Sequence, residues 1–517
     1  MRLRGALPVL LCVILAAGCS TSAAARPARP ARASRSAAAE NPAGPPPTTL
    51  AGYYAQQLRW VTCDKVFRCA RLLVPFDYSR PAWRRFSLPV IELPASDPAQ
   101  RIGALVVNPG GPGGSGVSYA LQARSEIAAA VRARFDIVGF DPRGVGGSEP
   151  AVRCLTGPEL DKYLATNDTP SSAAQVRAIV AESRLFAQGC ERSSGALLPY
   201  VGTRNAARDM DVLRAALGEA KLTYLGKSYG TYLGTWYAQL FPTHVRALVL
   251  DGAIDPASSG ISMNTVQAQG FEVALRAFIA NCESLAECPL GRSGVAGGLA
   301  RIQSLVARAM GHPLANDLDT QPANGAMLLN GIATALYSQG YWGILRSALA
   351  AAFQGNGTVL VELANALFER TASGQYSNLA DAETAVDCLD RPWPSALASW
   401  RSAAAAAAKA APLFGQAIMW GSLPCAYWPV RSYPLASGGR SALARGAPPI
   451  LVVGNLRDPA TPYRWAQALS RDLASGVLLG WDGNGHTAYM MGSSCVDNAV
   501  NRYLISLAAP RSGTVCP

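Results

Sequence analysis

From residue 102 onward, short apolar runs alternate with longer stretches whose apolar positions recur at helical spacing. Ala104-Leu-Val-Val-Asn108 is an apolar run behind a glycine, the pattern of a strand covered on both faces. Phe135-Asp-Ile-Val-Gly-Phe140 repeats it and ends at Asp141-Pro-Arg-Gly144. The spacing then predicts a helix over 203–217, a strand over 222–225, a Gly-Lys-Ser-Tyr-Gly turn, and a helix to Phe241 that Pro242 stops. Residues 245–250 predict another strand. This alternation predicts an α/β fold, a mostly parallel sheet with helices on both faces.

The pattern breaks after about residue 255. Helical spacing dominates to about residue 446, with helices predicted over 267–281, 298–310, 343–353, 359–371 and 399–411. Strand-like runs return at 449–454 and 476–480, and a last helix is predicted over 495–507. The expected organisation is a core begun by 50–255 and completed by 447–517, interrupted by a helical cap over 256–446. Such a cap would hang over the carboxyl ends of the strands, where open α/β sheets bind ligands. No internal repeat is evident.

Composition narrows the class. The chain has 517 residues, half of them hydrophobic, enough for one large core with an insertion. Charged residues make up 15%, and a hydrophobic share this large excludes a disordered chain. Net charge is +12, but part of the excess lies at Arg2, Arg4, Arg26, Arg29, Arg32 and Arg35. The remainder is scattered without a dense Lys/Arg run, so no nucleic-acid partner is expected.

The first nineteen residues read as an export signal: Arg2 and Arg4, an apolar run over 7–17 too short to span a membrane, then Ala16-Ala17-Gly18-Cys19. That ending resembles a bacterial lipobox, which implies lipidation of Cys19 and attachment to a membrane or envelope. Ordinary cleavage in the Ala-rich stretch would instead give a secreted protein. Residues 20–49, rich in Arg, Pro, Ala and Ser, read as a spacer. Beyond Cys12 and Cys19 there are ten cysteines: Cys63, Cys69, Cys154, Cys190, Cys282, Cys288, Cys388, Cys425, Cys495 and Cys516. An even count in an exported chain implies disulfides. Sequence order suggests that neighbours pair, although spacing alone does not fix the connectivity. With no Cys-x-x-Cys and three histidines, no metal site is expected.

The candidate chemistry centres on Gly226-Lys-Ser-Tyr-Gly230, a G-x-S-x-G sequence between a predicted strand and a predicted helix. A serine there needs a base. His244 reads as an exposed loop residue and His312 lies in a Gly-His-Pro loop of the helical region. His486 follows the last strand-like run, in Gly483-Asn-Gly-His-Thr487. An orienting acid is expected after the preceding run, where Asp458 stands, although an Asp-Pro pair also favours simple turns. Asp482 competes but lies close to His486. For the oxyanion, the N–H of Tyr229 and one from the glycine-rich loop 108–116 are expected, with Gly111 preferred and Gly110 next.

Two other readings are weighed. Gly226-Lys-Ser228 resembles the end of a phosphate-binding loop, but Lys221 stands where that motif needs glycine. Gly111-Pro-Gly113-Gly-Ser-Gly116 matches the dinucleotide-binding G-x-G-x-x-G, with Asp141 as the acid at the next strand's end. That reading leaves Ser228, Asp458 and His486 without a role and puts a dinucleotide enzyme outside the cytoplasm.

Several segments together resemble the exported actinobacterial tripeptidyl aminopeptidases, related to proline iminopeptidases, and mycobacterial envelope serine hydrolases described as carboxylesterases or proteases. They are Val107-Asn-Pro-Gly-Gly-Pro-Gly-Gly-Ser-Gly116, Gly139-Phe-Asp-Pro-Arg-Gly-Val-Gly-Gly-Ser148, Gly226-Lys-Ser-Tyr-Gly-Thr231, Val249-Leu-Asp-Gly252, Asp458-Pro-Ala-Thr-Pro462 and Gly485-His-Thr487. Ala385-Val-Asp-Cys-Leu-Asp390 and Cys425-Ala-Tyr-Trp-Pro429 also match. The resemblance runs from about Tyr53 to the C-terminus. It implies an α/β-hydrolase fold and cofactor-free cleavage of peptides from a free N-terminus, through an acyl-enzyme on Ser228. It also implies cap carboxylates that hold the substrate's amino group, with Asp390 and Asp387 as candidates. A carboxylesterase or lipase acting on acyl esters would use the same Ser228, Asp458 and His486. A catalytically idle envelope-binding protein is the third class of reading, and the intact residue set argues against it. A monomer is expected.

Overall fold

The computed structural model describes residues 46–436 and 441–517; the signal, Cys19 and most of the 20–49 spacer lie outside the described residues. Ten strands form one sheet: β1 (Val61–Asp64), β2 (Phe67–Pro75), β3 (Arg85–Leu93), β4 (Gly103–Asn108), β5 (Phe135–Phe140), β6 (Leu222–Lys227), β7 (Val245–Asp251), β8 (Ile450–Arg457), β9 (Gly476–Asn484) and β10 (Thr514–Cys516). Their order is β1-β2-β3-β5-β4-β6-β7-β8-β9-β10. The pairings from β1 to β5 through β2 and β3 are antiparallel, and every pairing from β5 to β10 is parallel.

The apolar runs form central strands because both faces are covered. Leu105, Val107, Ile137, Leu225, Val249 and Val453 pack against Val496, Val500 and Leu504 of the helix Ser494–Ser506. Their alternates Val106, Val138, Tyr224, Leu248 and Val452 pack on the other face, against Met210 and Leu213 of Thr203–Ala216 and Leu233 and Tyr237 of Tyr229–Leu240. The period of two along a strand assigns each residue to one of these layers.

Among the described residues between β7 and β8, the regular elements are all helices. Gly260–Glu283, Gly294–Gly311, Gly325–Leu336, Trp342–Phe353 and Thr358–Leu367 share a core built on Leu275, Phe278, Ile302, Leu328, Leu345 and Leu360. The fourth of these starts at its expected place, whereas the last ends at Leu367 instead of running to 371. A second helical segment precedes β6, which the apolar spacing did not suggest: Gly157–Leu164 and Ala173–Ser194. Ile179 of the longer helix packs with Trp400, Ala404 and Trp420 in a small separate cluster, so this segment joins the helical layer. Asp161 accepts from Arg370 (Nε, 2.8 Å), Tyr376 (Oη, 2.6 Å) and Gln321 (Nε2, 2.9 Å), tying the two helical segments together.

Five disulfides join neighbouring cysteines: Cys63–Cys69, Cys154–Cys190, Cys282–Cys288, Cys388–Cys425 and Cys495–Cys516. Sequence order had suggested this pairing. Cys388–Cys425 fastens the helix Leu379–Asp390 to the turn Leu423–Tyr427, and Cys495–Cys516 fastens β10 to the last helix.

Candidate active site

Ser228 occupies the turn between β6 and the helix Tyr229–Leu240, with φ 56° and ψ −125°. A side chain rarely takes this conformation, and the surroundings must hold it. Its N–H donates to the Asp251 carbonyl at 2.8 Å, and its carbonyl accepts from the Thr231 N–H at 2.9 Å and hydroxyl at 2.7 Å. The turn closes only around a small residue: a Cβ on Gly226 would stand 2.4 Å from the Gly230 carbonyl oxygen.

His486 lies in the loop after β9. Its Nδ1 is 2.8 and 3.0 Å from the two Asp458 carboxylate oxygens. Asp458 is buried, and it accepts further bonds from the N–H groups of Ala460 (2.9 Å), Thr461 (2.8 Å) and Thr487 (2.9 Å). Four donors fix that carboxylate, so it orients the imidazole and leaves Nε2 facing away from the acid. The ring packs edge-on against Tyr337 at 5.2 Å between centroids, and the main-chain N–H of His486 donates to the Tyr337 carbonyl at 2.8 Å. A Cβ on Gly252, next to the Asp251 that holds Ser228, would come within 3.3 Å of His486 Cε1. The His486 ring thus lies against the residue that follows Asp251, whose carbonyl holds the Ser228 N–H. The other two histidines sit apart from this arrangement: His244 pairs with Asp211 at 2.8 Å, and His312 is exposed at the end of Gly294–Gly311. Asp482 pairs instead with Arg457 at 2.6 Å.

The glycine-rich loop after β4 lies against the same turn. A Cβ on Gly110, whose φ is 101°, would stand 2.8 Å from Ser228 Cβ and 3.0 Å from the Tyr229 nitrogen. The Gly110 N–H is already given to Asn108 Oδ1 at 3.0 Å. Tyr229 opens its helix, where the first N–H groups have no intrahelical acceptor. Asp141, the acid of the dinucleotide reading, spends its oxygens on Ser115 Oγ (2.6 Å) and the Val117 (3.1 Å) and Gly147 (2.8 Å) N–H groups.

The helix Leu379–Asp390 borders this loop: a Cβ on Gly113 would meet the Leu379 carbonyl at 2.7 Å and the Glu383 nitrogen at 3.1 Å. Four carboxylates ride on it; the first, Asp381, accepts from the Cys154 N–H at 3.1 Å. Asp390 is buried, with Oδ1 accepting from the Thr203 N–H at 3.0 Å and Oδ2 accepting from the Thr203 hydroxyl, which also contacts the Tyr229 hydroxyl. Burial raises Asp390 to about 6, and the Thr203 bonds oppose that rise. Asp387 and Glu383 are half-buried, and one helical turn separates them. Burial pushes Glu383 up to about 7; burial, then the Glu383 charge, pushes Asp387 well above the usual carboxylate range. Their charges reach the residues around Ser228 and His486: Asp387 acts on the Tyr229 hydroxyl, and Glu383 on those of Tyr337 and Tyr163. Sequence reasoning missed Glu383. Its signal was the Glu383-x-x-x-Asp387 spacing, which acquires meaning once 379–390 is known to be a helix.

A strained serine on a strand-to-helix turn, a histidine on a carboxylate, and this mostly parallel sheet define an α/β-hydrolase. A family model described as TAP-like protein matches residues 411–516. Serine protease Hip1 of Mycobacterium tuberculosis is 38% identical over 459 residues, 87% of each chain. Carboxylesterase B of the same species is 39% identical over 485 residues, 91% of this chain and 92% of that one. Tripeptidyl aminopeptidase of Streptomyces lividans is 33% identical over 453 residues, 86% of this chain and 82% of that one. A probable hydrolytic enzyme from Pseudomonas aeruginosa, solved as a crystal structure, covers 84% of this chain and 94% of its own at 12% identity and a TM-score of 0.36. The chain belongs to the tripeptidyl aminopeptidase-like family of serine hydrolases.

Proposed function

We propose that this protein cleaves peptides from their free N-terminus, with Ser228 as nucleophile, His486 as general base and Asp458 as the acid that orients it. His486 Nε2 takes the Ser228 hydroxyl proton as Oγ attacks the scissile carbonyl. The N–H groups of Tyr229 and Gly111 receive the developing oxyanion. Gly111 is favoured over Gly110 because the latter's N–H is already bonded to Asn108. The C–N bond then breaks, His486 gives its proton to the departing amine, and the acyl group remains on Ser228. A water attacks that ester, its proton passing to His486 and then back to Ser228, which frees the acid product. No step calls for a metal or cofactor.

The observation that carries the peptide reading is the pair Glu383 and Asp387 on the helix beside this site. Two partly open carboxylates without a cationic partner at hydrogen-bonding distance suit an incoming α-ammonium group. Asp390, with both oxygens engaged by Thr203, suits a supporting part: it ties this helix to Thr203–Ala216 and to Tyr229. The names of the relatives, a serine protease and tripeptidyl aminopeptidases, support the same substrate class.

The name carboxylesterase B supports a second reading, in which the same serine acts on acyl esters. Fluorogenic tripeptidyl amides with free and blocked N-termini, compared with short-chain acyl esters, separate the two. Cleavage confined to free N-termini is expected. Ester turnover without amide cleavage would make the protein an esterase. Export is part of the proposal, supported by the signal-like N-terminus and the five disulfides. Lipid attachment at Cys19 is testable by mass measurement of the mature N-terminal peptide. Among the described residues, no helix is long and apolar enough to cross a membrane.

A further inference from the structure

Asp251 ends β7, beside the strand that carries Ser228. Its main-chain carbonyl accepts the Ser228 N–H at 2.8 Å. Its carboxylate reaches the other half of the site. Oδ1 and Oδ2 accept from the Ala488 N–H at 2.9 and 3.2 Å, and Oδ2 accepts from the Tyr489 N–H at 3.0 Å. Ala488 and Tyr489 follow His486 by two and three residues. That loop needs an external hold: Thr487 and Met490 both adopt positive φ, at 66° and 62°. For a β-branched threonine this conformation is costly and persists only where its neighbours enforce it. Asp458 takes the Thr487 N–H, and Asp251 takes the next two.

A carboxylate as buried as Asp251 needs a counter-charge. Lys227, the residue before Ser228, supplies it from within the core, with its Nζ 3.3 Å from Glu126 Oε2. The groups facing Asp251 are therefore Lys227 from β6, Tyr119 from the segment between β4 and β5, and His486 and Tyr489 from the loop after β9, while Glu126 faces Lys227 and Tyr119. Asp497 of the last helix acts on Lys227. Burial raises Asp251 to about 6; Lys227, the two loop amides and His486 pull it down.

We propose that Asp251, balanced by Lys227, is a positioning residue that holds the His486 loop in register with Ser228. One residue fixes the backbone of the nucleophile through its carbonyl and that of the base through its carboxylate. The inference rests on the assignment of Ser228 and His486 given above.

Asp251→Asn and Lys227→Met test it, with kcat/KM followed against pH on a short-chain activated ester and folding followed by circular dichroism and Tm. Asp251→Asn turns an acceptor toward the loop amides into a donor. A loop displaced by about 1 Å costs on the order of 100-fold, so a fall of roughly 10- to 100-fold in kcat with little change in KM is expected. Removing a negative charge beside His486 also moves the acid limb of the profile to lower pH. Lys227→Met removes the cation that keeps Asp251 ionised, so Asp251 holds its proton to higher pH, offers the loop amides a weaker acceptor there, and the acid limb moves to higher pH. Limbs that stay in place in both folded variants, with activity tracking folded fraction alone, would overturn the proposal. If Asp251→Asn does not fold, Lys227→Met decides: an upward shift supports the proposal and an unmoved limb overturns it. Ser228→Ala separates the layers. Turnover by that variant would overturn the site assignment itself, whereas an inactive Ser228→Ala beside a wholly normal Asp251→Asn would overturn the role of Asp251 alone.

Discussion

The residues around Ser228 divide by what their side chains have left to offer. Asp458 has every lone pair directed at a donor, and Asp390 is committed to Thr203, whereas Glu383 and Asp387 are not so engaged. Ser228→Ala is expected to remove turnover completely while leaving Tm unchanged, which activity and melting measurements check together. Glu383→Gln is expected to raise KM for free-amine tripeptides by roughly 10-fold, about the worth of one charge-assisted bond, and to leave ester turnover unchanged. Burial pushes Glu383 up to about 7, so at pH 6 this proposed amine-binding carboxylate is largely protonated. The KM for free-amine peptides should fall as pH rises through about 7, and Glu383→Gln should abolish that dependence. Stability moves the other way. The folded state keeps a proton that an unfolded glutamate of pKa 4.5 has released. The contribution of Glu383 is therefore present below about pH 4.5 and lost as pH rises through about 7. Melting of Glu383→Gln across that window should show a shallower decline than the parent. The proposed nucleophile, base and acid could be picked out as candidates from sequence because each follows a strand-like run in a fixed order. Glu383 was not, because its role depends on a helix whose apolar positions show no clear face.

At the scale of elements, two joints hold the site in shape. Arg143 and Asp209 form a fully buried ion pair, and the guanidinium also donates to the carbonyls of Pro75, Phe76 and Tyr200. It thereby ties the end of β2 and the loop after β5 to the helix Thr203–Ala216. Arg143→Met would leave Asp209 buried without its partner, at a cost of about 3–5 kcal/mol in denaturant unfolding. The other joint is Cys388–Cys425, on the carboxylate-bearing helix. Replacing both cysteines by serine should cost about 2–4 kcal/mol and raise KM for free-amine peptides more than for esters. Elements with a sharp period or an unbroken apolar run were legible. Gly325–Leu336 was not, since it is buried on nearly every side and has no polar face to set a period. Strand β3 also escaped notice: Pro89 interrupts it and Glu92 lies buried within it against Arg68, features that read against a central strand.

Over the whole molecule, the parallel half of the sheet was foreseen and the antiparallel β1–β3 extension was not. Those three strands mix charged and apolar residues, and their place follows from pairing with β5, a contact distant in sequence. The helical layer also draws on two separated stretches, and the first, 157–194, divides its apolar residues between two partners, Ile179 against Trp400 and Leu160 and Phe186 in the core beneath the sheet. The long insertion between β7 and β8 has a further consequence, one of timing. The Ser228 turn belongs to an early part of the chain, while Asp458 and His486 come with the last strands to be synthesised. A chain still emerging from the ribosome holds Ser228 without the His486 and Asp458 that the proposed mechanism requires. On the proposed mechanism, hydrolysis by Ser228 begins only when β8, β9 and the loop behind them have docked on β7, so the order of residues in the gene delays the first turnover until those last strands are in place.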